Sequence, residues 1–145
     1  MKPDDSQTSL RLTVRDLMTR GVYAVGVDDN LETIRTLLQE RNIRHAPVVS
    51  PDGVLLGLVT QRDLLRSTLR SEALPPQVQA EALQMTTAGE VMTVNPVTVE
   101  PGLDIRDAAR IMLAKKYGCL PVVEDDRLVG IVTEADFVRF LAAGD

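Results

Sequence analysis

A chain of 145 residues has room for one ordinary domain or two very small ones, and 44% hydrophobic with 26% charged residues is the balance of a soluble globular protein. Aromatic residues make up only 3% and tryptophan is absent, so the core has to be aliphatic. A net charge of -5 argues against general nucleic-acid binding, and one cysteine (Cys119) with one histidine (His45) excludes an internal disulfide and a cysteine-based metal site.

The start of the chain, Met1 to Ser9, is polar and acidic, unlike a signal peptide, and residues 1–12 are expected to form a flexible tail. No apolar run approaches the ~20 residues of a bilayer span, so no membrane is expected as a partner and the cytoplasm is the expected location. Thr13 and Asp16 form a Thr-x-x-acid capping box that opens a short helical turn. A β-rich segment follows, Val22 to Val27. An amphipathic helix is predicted over about Leu31 to Glu40, with Asn30 as its N-cap and Leu31, Ile34, Leu37 and Leu38 on one face. Two strands, Ala46–Val49 and Leu55–Val59, flank an Asp52-Gly53 turn, and a helix begins at Thr60. Residues 67–86 read as a connector over the outside of the molecule, broken by Pro75-Pro76 and then helical over Gln77 to Gln84.

The same order then repeats. Thr87 and Glu90 form the second capping box, Pro96 to Val99 the β-rich segment, and Asp104 caps a helix over Ile105 to Lys115. Strands Leu120–Val123 and Leu128–Val132 precede a helix from Thr133, and residues 142–145 are a tail. Thr13 returns as Thr87 and Pro47 as Pro121, both 74 positions on; Gly57 returns as Gly130, 73 on, so one residue is lost in the hairpin turn. A surface turn tolerates such a change most easily. The prediction is an α/β (α+β) fold of two β-α-β-β-α units, residues 13–66 and 87–141. A unit of about 50 residues cannot bury its apolar sheet face alone, so the two are expected to pack sheet against sheet.

Three stretches of the first unit resemble a CBS (cystathionine-β-synthase-type) repeat: Met18-Thr19, Ile43-Arg44-His45-Ala46-Pro47-Val48-Val49 and Gly57-Leu58-Val59-Thr60-Gln61-Arg62-Asp63. Their counterparts are Met92-Thr93, Tyr117-Gly118-Cys119-Leu120-Pro121-Val122-Val123 and Gly130-Ile131-Val132-Thr133-Glu134-Ala135-Asp136. The resemblance covers nearly the whole chain and implies a pseudo-twofold, Bateman-type module with two clefts between the repeats. Such modules bind AMP, ADP, ATP or S-adenosylmethionine as regulatory ligands, require no cofactor, and dimerise into a flat disc. They regulate a fused enzyme or channel, or a separate effector protein; no fused effector is expected here. A scaffold with degenerate clefts, or a nucleic-acid-binding module, are the alternatives, the second disfavoured by the acidic composition.

The Thr-x-x-Asp boxes, Thr60/Asp63 and Thr133/Asp136, need no ligand to explain them, because each caps a helix. The same geometry offers a helix N-terminus to a phosphate and a carboxylate to a ribose, and the resemblance implies the ribose role for both aspartates. It also implies that Arg44 and His45 face phosphate, with Arg62 beside Asp63. The second repeat carries Gly118, Cys119 and Ala135 at those places, so the two clefts are expected to be unequal, the basic one taking a phosphorylated adenosine. The adenine slot is expected to be lined by Val22, Tyr23, Ala24, Ala46 and Pro47, and by Pro96, Val97, Thr98, Leu120 and Pro121. Met18 and Met92 read as packing filler and Cys119 as a packed small residue. No nucleophile–base–orienter set is evident, so no enzyme activity and no metal site are expected.

Overall fold

The computed structural model describes residues 11–143; the expected N-terminal tail up to residue 10, with the polar start of the chain, and residues 144–145 lie outside the described residues. The elements are α1 (Val14–Leu17), α2 (Leu31–Arg41), β1 (His45–Val49), β2 (Leu55–Thr60), α3 (Gln61–Arg70), α4 (Pro76–Met85), α5 (Ala88–Val91), β3 (Thr93–Val94), α6 (Ile105–Lys115), β4 (Cys119–Glu124), β5 (Arg127–Thr133) and α7 (Glu134–Ala143). The fold is mixed α/β with two small sheets, one in the order β1-β2-β3 and one of β4-β5.

Local chemistry sets most of these boundaries. Asn30 Oδ1 accepts the Thr33 amide at 2.8 Å and Asp104 Oδ1 accepts the Arg106 amide at 2.7 Å, which opens α2 and α6. Both helices end on a left-handed residue, Asn42 (φ 53) and Lys116 (φ 60). Pro76 takes the first turn of α4, where its missing N–H costs nothing, and α4 buries no residue.

The β-rich segments before α2 and α6 do not become strands. Each makes a single parallel bridge, Val25 to Val48 and Val99 to Val122. The Val25 amide donates to Pro47 O at 2.9 Å and the Val49 amide to Val25 O at 2.8 Å. Extending this ladder back to Tyr23 would need an N–H at Pro47, and proline has none. Pro121 stops the ladder before Val97 in the same way. Residues 22–24 and 96–98 are therefore left off the sheets.

The chain divides into two compact units, and they are not the two sequence repeats. One gathers the described residues up to Val22 with Val97–Asp125 and Val129 onward; the other gathers Tyr23–Pro96 with Asp126–Leu128. The first helical turn of each repeat thus belongs to the unit built on the other. The Val14 and Arg15 amides at the start of α1 donate to Leu103 O (2.8 Å) and Pro101 O (2.9 Å). At the start of α5 the Ala88 and Gly89 amides donate to Asp29 O (2.8 Å) and Val27 O (3.0 Å). Free amides of a short helix thereby find carbonyls of a loop far along the chain.

Each unit has its own aliphatic core. Val14, Leu17 and Met18 join Val99, Ala108, Met112, Leu120, Val122 and Val132 in one. Ala88 joins Val25, Leu31, Ile34, Leu38, Ala46, Val48, Val59 and Leu64 in the other. The residues after each short turn then run along the sheet. Thr93 pairs with Leu58 and Val94 with Gly57 to make β3, a strand absent from the sequence-based reading, while Thr19 bridges Ile131. This approach explains two glycines: a Cβ at Gly57 would lie 2.8 Å from Thr93 O, and one at Gly130 would lie 3.0 Å from Thr19 O.

Candidate functional site

In the unit holding Tyr23–Pro96, three short segments meet at one end of a sheet. β1 starts there with His45, whose register partner is Thr60, the last residue of β2. The Gln61 amide donates to Arg44 O at 2.8 Å, fastening the strand entry to the start of α3. Tyr23 and Ala24 enter alongside, because Val25 bridges Val48 in parallel sense. The structure therefore brings Tyr23, Ala24, Arg44, His45, Thr60, Arg62 and Asp63 to one place.

Thr60 and Asp63 form a complete capping box. The Thr60 amide donates to Asp63 Oδ2 at 2.8 Å, and the Asp63 amide donates to Thr60 Oγ1 at 3.2 Å. Among the described residues the other oxygen, Oδ1, meets only the Arg66 guanidinium, at 3.4 Å. Arg44 and Arg62 are exposed and make no salt bridge among the described residues. The Tyr23 ring is 44% exposed, with the Arg41 guanidinium 4.5 Å from its centroid, a cation–π contact. Ala46 and Pro47 are buried, so their side chains belong to the core.

The other unit repeats the plan with different chemistry. Glu134 donates its amide to Gly118 O at 3.2 Å, and the Val99 amide donates to Pro121 O at 3.1 Å. Val97 and Thr98 are exposed where Tyr23 and Ala24 stand in the first, and Leu120 and Pro121 are buried like Ala46 and Pro47. Cys119 replaces His45. It is buried, and burial pushes its thiol up to about 12, so it is a packed neutral group as the sequence indicated. Val22 and Pro96 fall at the edges of the units, each apart from the neighbour with which the sequence grouped it.

The aspartates differ more than the sequence suggested. Asp136 is 5% exposed and accepts four bonds. The Thr133 amide (2.8 Å) and hydroxyl (3.2 Å) donate to Oδ2, and the Thr19 hydroxyl (2.9 Å) and Arg139 Nη2 (2.6 Å) donate to Oδ1. Asp63, with a side chain 12% exposed, accepts among the described residues only the amide and the long Arg66 contact. Sequence reasoning missed Thr19, Arg66, Arg139 and Arg41. The two arginines were legible, since each follows its aspartate by three positions and the pair recurs at the same offset as Asp63 and Asp136. Nothing in the sequence links Thr19 to Asp136.

The arrangement offers a partly open carboxylate, exposed guanidinium groups and an exposed aromatic ring, a recognition set. The sequence profile of the CBS domain matches residues 14–70 and 88–143. The chain belongs to the CBS-domain family. A CBS domain-containing protein of Dictyostelium discoideum is 33% identical over 135 residues, which cover 91% of this chain and 92% of that protein. Among solved CBS pairs, CBSX2 of Arabidopsis thaliana in complex with AMP matches with a TM-score of 0.76 at 29% identity, over 90% of this chain and 96% of that one. The CBS domain pair of protein MJ0100, in complex with 5′-methylthioadenosine and S-adenosyl-L-methionine, matches with a TM-score of 0.75 at 25% identity, over 93% and 99%. No helix among the described residues of this CBS pair is long and apolar enough to cross a membrane.

Proposed function

We propose that this CBS pair is a non-catalytic regulatory sensor that binds an adenosine-containing ligand, AMP, ADP, ATP or S-adenosylmethionine, and signals to an effector protein. The observation that carries the reading is the meeting of Tyr23, Arg44, His45, Arg62 and Asp63 at one sheet end. Asp63 would accept the ribose hydroxyls, Arg44 and Arg62 would neutralise phosphate, and Tyr23 with Ala24 would flank the base. Similarity to CBS pairs described in complex with AMP, and with 5′-methylthioadenosine and S-adenosyl-L-methionine, supports the ligand class. Because the matching positions of the other unit are Gly118, Cys119 and Ala135, the phosphorylated ligand is assigned to the Asp63 side. A ligand transmits a signal only through its differential affinity for two states of the protein. A homodimer would supply such states, and Leu65, Leu69, Val138 and Leu141, all more than half exposed on α3 and α7, are the residues offered for it.

A thermal-shift and calorimetry panel of AMP, ADP, ATP, S-adenosylmethionine and NAD tests the reading. At least one adenosine ligand should raise the melting temperature in proportion to its concentration over Kd. Silence from the whole panel at millimolar concentration, with an intact dimer, would leave a ligand-free interaction scaffold in its place.

A further inference from the structure

We infer that the chain binds one adenosine ligand, on Asp63, and that Thr19 closes Asp136 to a ribose; this rests on the adenosine reading above and settles its stoichiometry. A carboxylate has about four acceptor positions, two on each oxygen. A ribose presents two hydroxyls and needs two of them. On Asp136 every position is taken: Thr133 fills those of Oδ2 with its amide and hydroxyl, and the Thr19 hydroxyl and Arg139 fill those of Oδ1. The Thr19 hydroxyl, 2.9 Å from Oδ1, stands in for a ligand hydroxyl.

The Thr19 main chain that carries this hydroxyl is pinned in place. Its amide donates to Ile131 O at 2.8 Å and its carbonyl accepts the Ile131 amide at 3.0 Å, so its backbone is bridged to β5, the strand that leads into α7 and Asp136. Thr93 holds the matching place beside β2, yet among the described residues no bond joins it to Asp63. Among the described residues one oxygen of Asp63 is touched only by the Arg66 guanidinium at 3.4 Å, on a side chain that is mostly in solvent. Arg66 can turn outward, as can Arg139, without breaking any backbone pairing; Asp63 Oδ1 is then free for a diol, whereas Asp136 Oδ1 keeps the Thr19 hydroxyl. The unit with Asp63 also holds the cations for a phosphate, so hydroxyl and phosphate recognition coincide on one side.

Calorimetry on the full chain tests this with AMP and with unphosphorylated adenosine, on wild type, Asp63→Asn, Thr19→Val and Thr19→Ser. Wild type should bind one AMP per chain. Asp63→Asn should weaken it at least about tenfold, the scale of a lost charged hydrogen bond. Thr19→Val removes the hydroxyl at nearly constant shape and should gain a second site for adenosine, whereas Thr19→Ser keeps the donor and stays at one. Two AMP per chain in wild type, or Asp63→Asn binding with the wild-type Kd, would overturn the inference, and so would Thr19→Val remaining at one site. Should Thr19→Val melt below the assay temperature, the wild-type stoichiometry and Asp63→Asn decide. Wild type giving no heat with either ligand at millimolar concentration is a different result: it removes the adenosine reading itself, and this inference with it.

Discussion

Replacing Asp136 by alanine should cost far more stability than replacing Asp63, although the two occupy the same place in the repeat. Asp136→Ala deletes a buried carboxylate and strands the donors around it. The Arg139 contact counts for little, because that side chain is 67% exposed and solvent screens it. The loss falls instead on the Thr133 amide, which forfeits its cap, and on the Thr19 hydroxyl. Hydrogen bonds to a charged group are worth about 1.5–3 kcal/mol each and do not add fully, so the expected cost is about 3 kcal/mol. Asp63→Ala loses one half of a capping box, about 1 kcal/mol. A chain of this size shifts its Tm by about 2–4 °C per kcal/mol, so Asp136→Ala should melt about 4–8 °C below Asp63→Ala. Equilibrium urea unfolding followed by circular dichroism, without ligand, measures the difference directly. A double-mutant cycle with Thr19→Val should return a coupling of about 1 kcal/mol between Thr19 and Asp136. Equal losses for the two alanine variants, or no coupling, would refute the account of Asp136 as a four-bonded strut.

Gly57→Ala and Gly130→Ala should each cost about 1–3 kcal/mol in the same assay, since a Cβ would press on the Thr93 or Thr19 carbonyl and strands do not shift cheaply. Gly102→Ala, which meets nothing within 4 Å, is the control that should stay near wild type. Cys119 should resist a thiol reagent at pH 8 until the protein unfolds, because burial keeps it neutral. Its folded pKa lies above the unfolded value of 9.0, so its contribution is fully present below pH 9 and is lost as pH rises toward about 12, where only the unfolded thiol ionises. The stability gap between wild type and Cys119→Ala should therefore be flat below pH 9 and shrink above it. Native-state hydrogen exchange should find the Val25 and Val49 amides protected and those of Tyr23 and Ala24 fast, as the interrupted ladder requires.

The duplicated order of elements, the helix starts at Asn30, Asp104, Thr60 and Thr133, and the hairpin turn after β1 were legible from residues alone. Each depends on groups two to four positions apart, such as Thr60 with Asp63, and a linear sequence displays those directly. The aspartates of the two boxes were legible for the same reason, as was Arg44 just before the first strand pair. Other features were decided by where distant segments come together. Val22–Val27 has strand composition but makes one bridge, because the segment beside it brings Pro47 to the position where the next amide was needed. The repeats were visible, yet α1 and α5 each lie in the unit of the other repeat, since their free amides are answered by carbonyls at Leu103 and Pro101, and at Asp29 and Val27. Two aspartates equal in sequence became unequal because Thr19, 117 positions from Asp136, reaches only that one. Sequence alone thus determined the local structure and the kinds of groups available; the tertiary path of the chain decided which acceptor each donor meets, and so how many bonds each carboxylate already accepts.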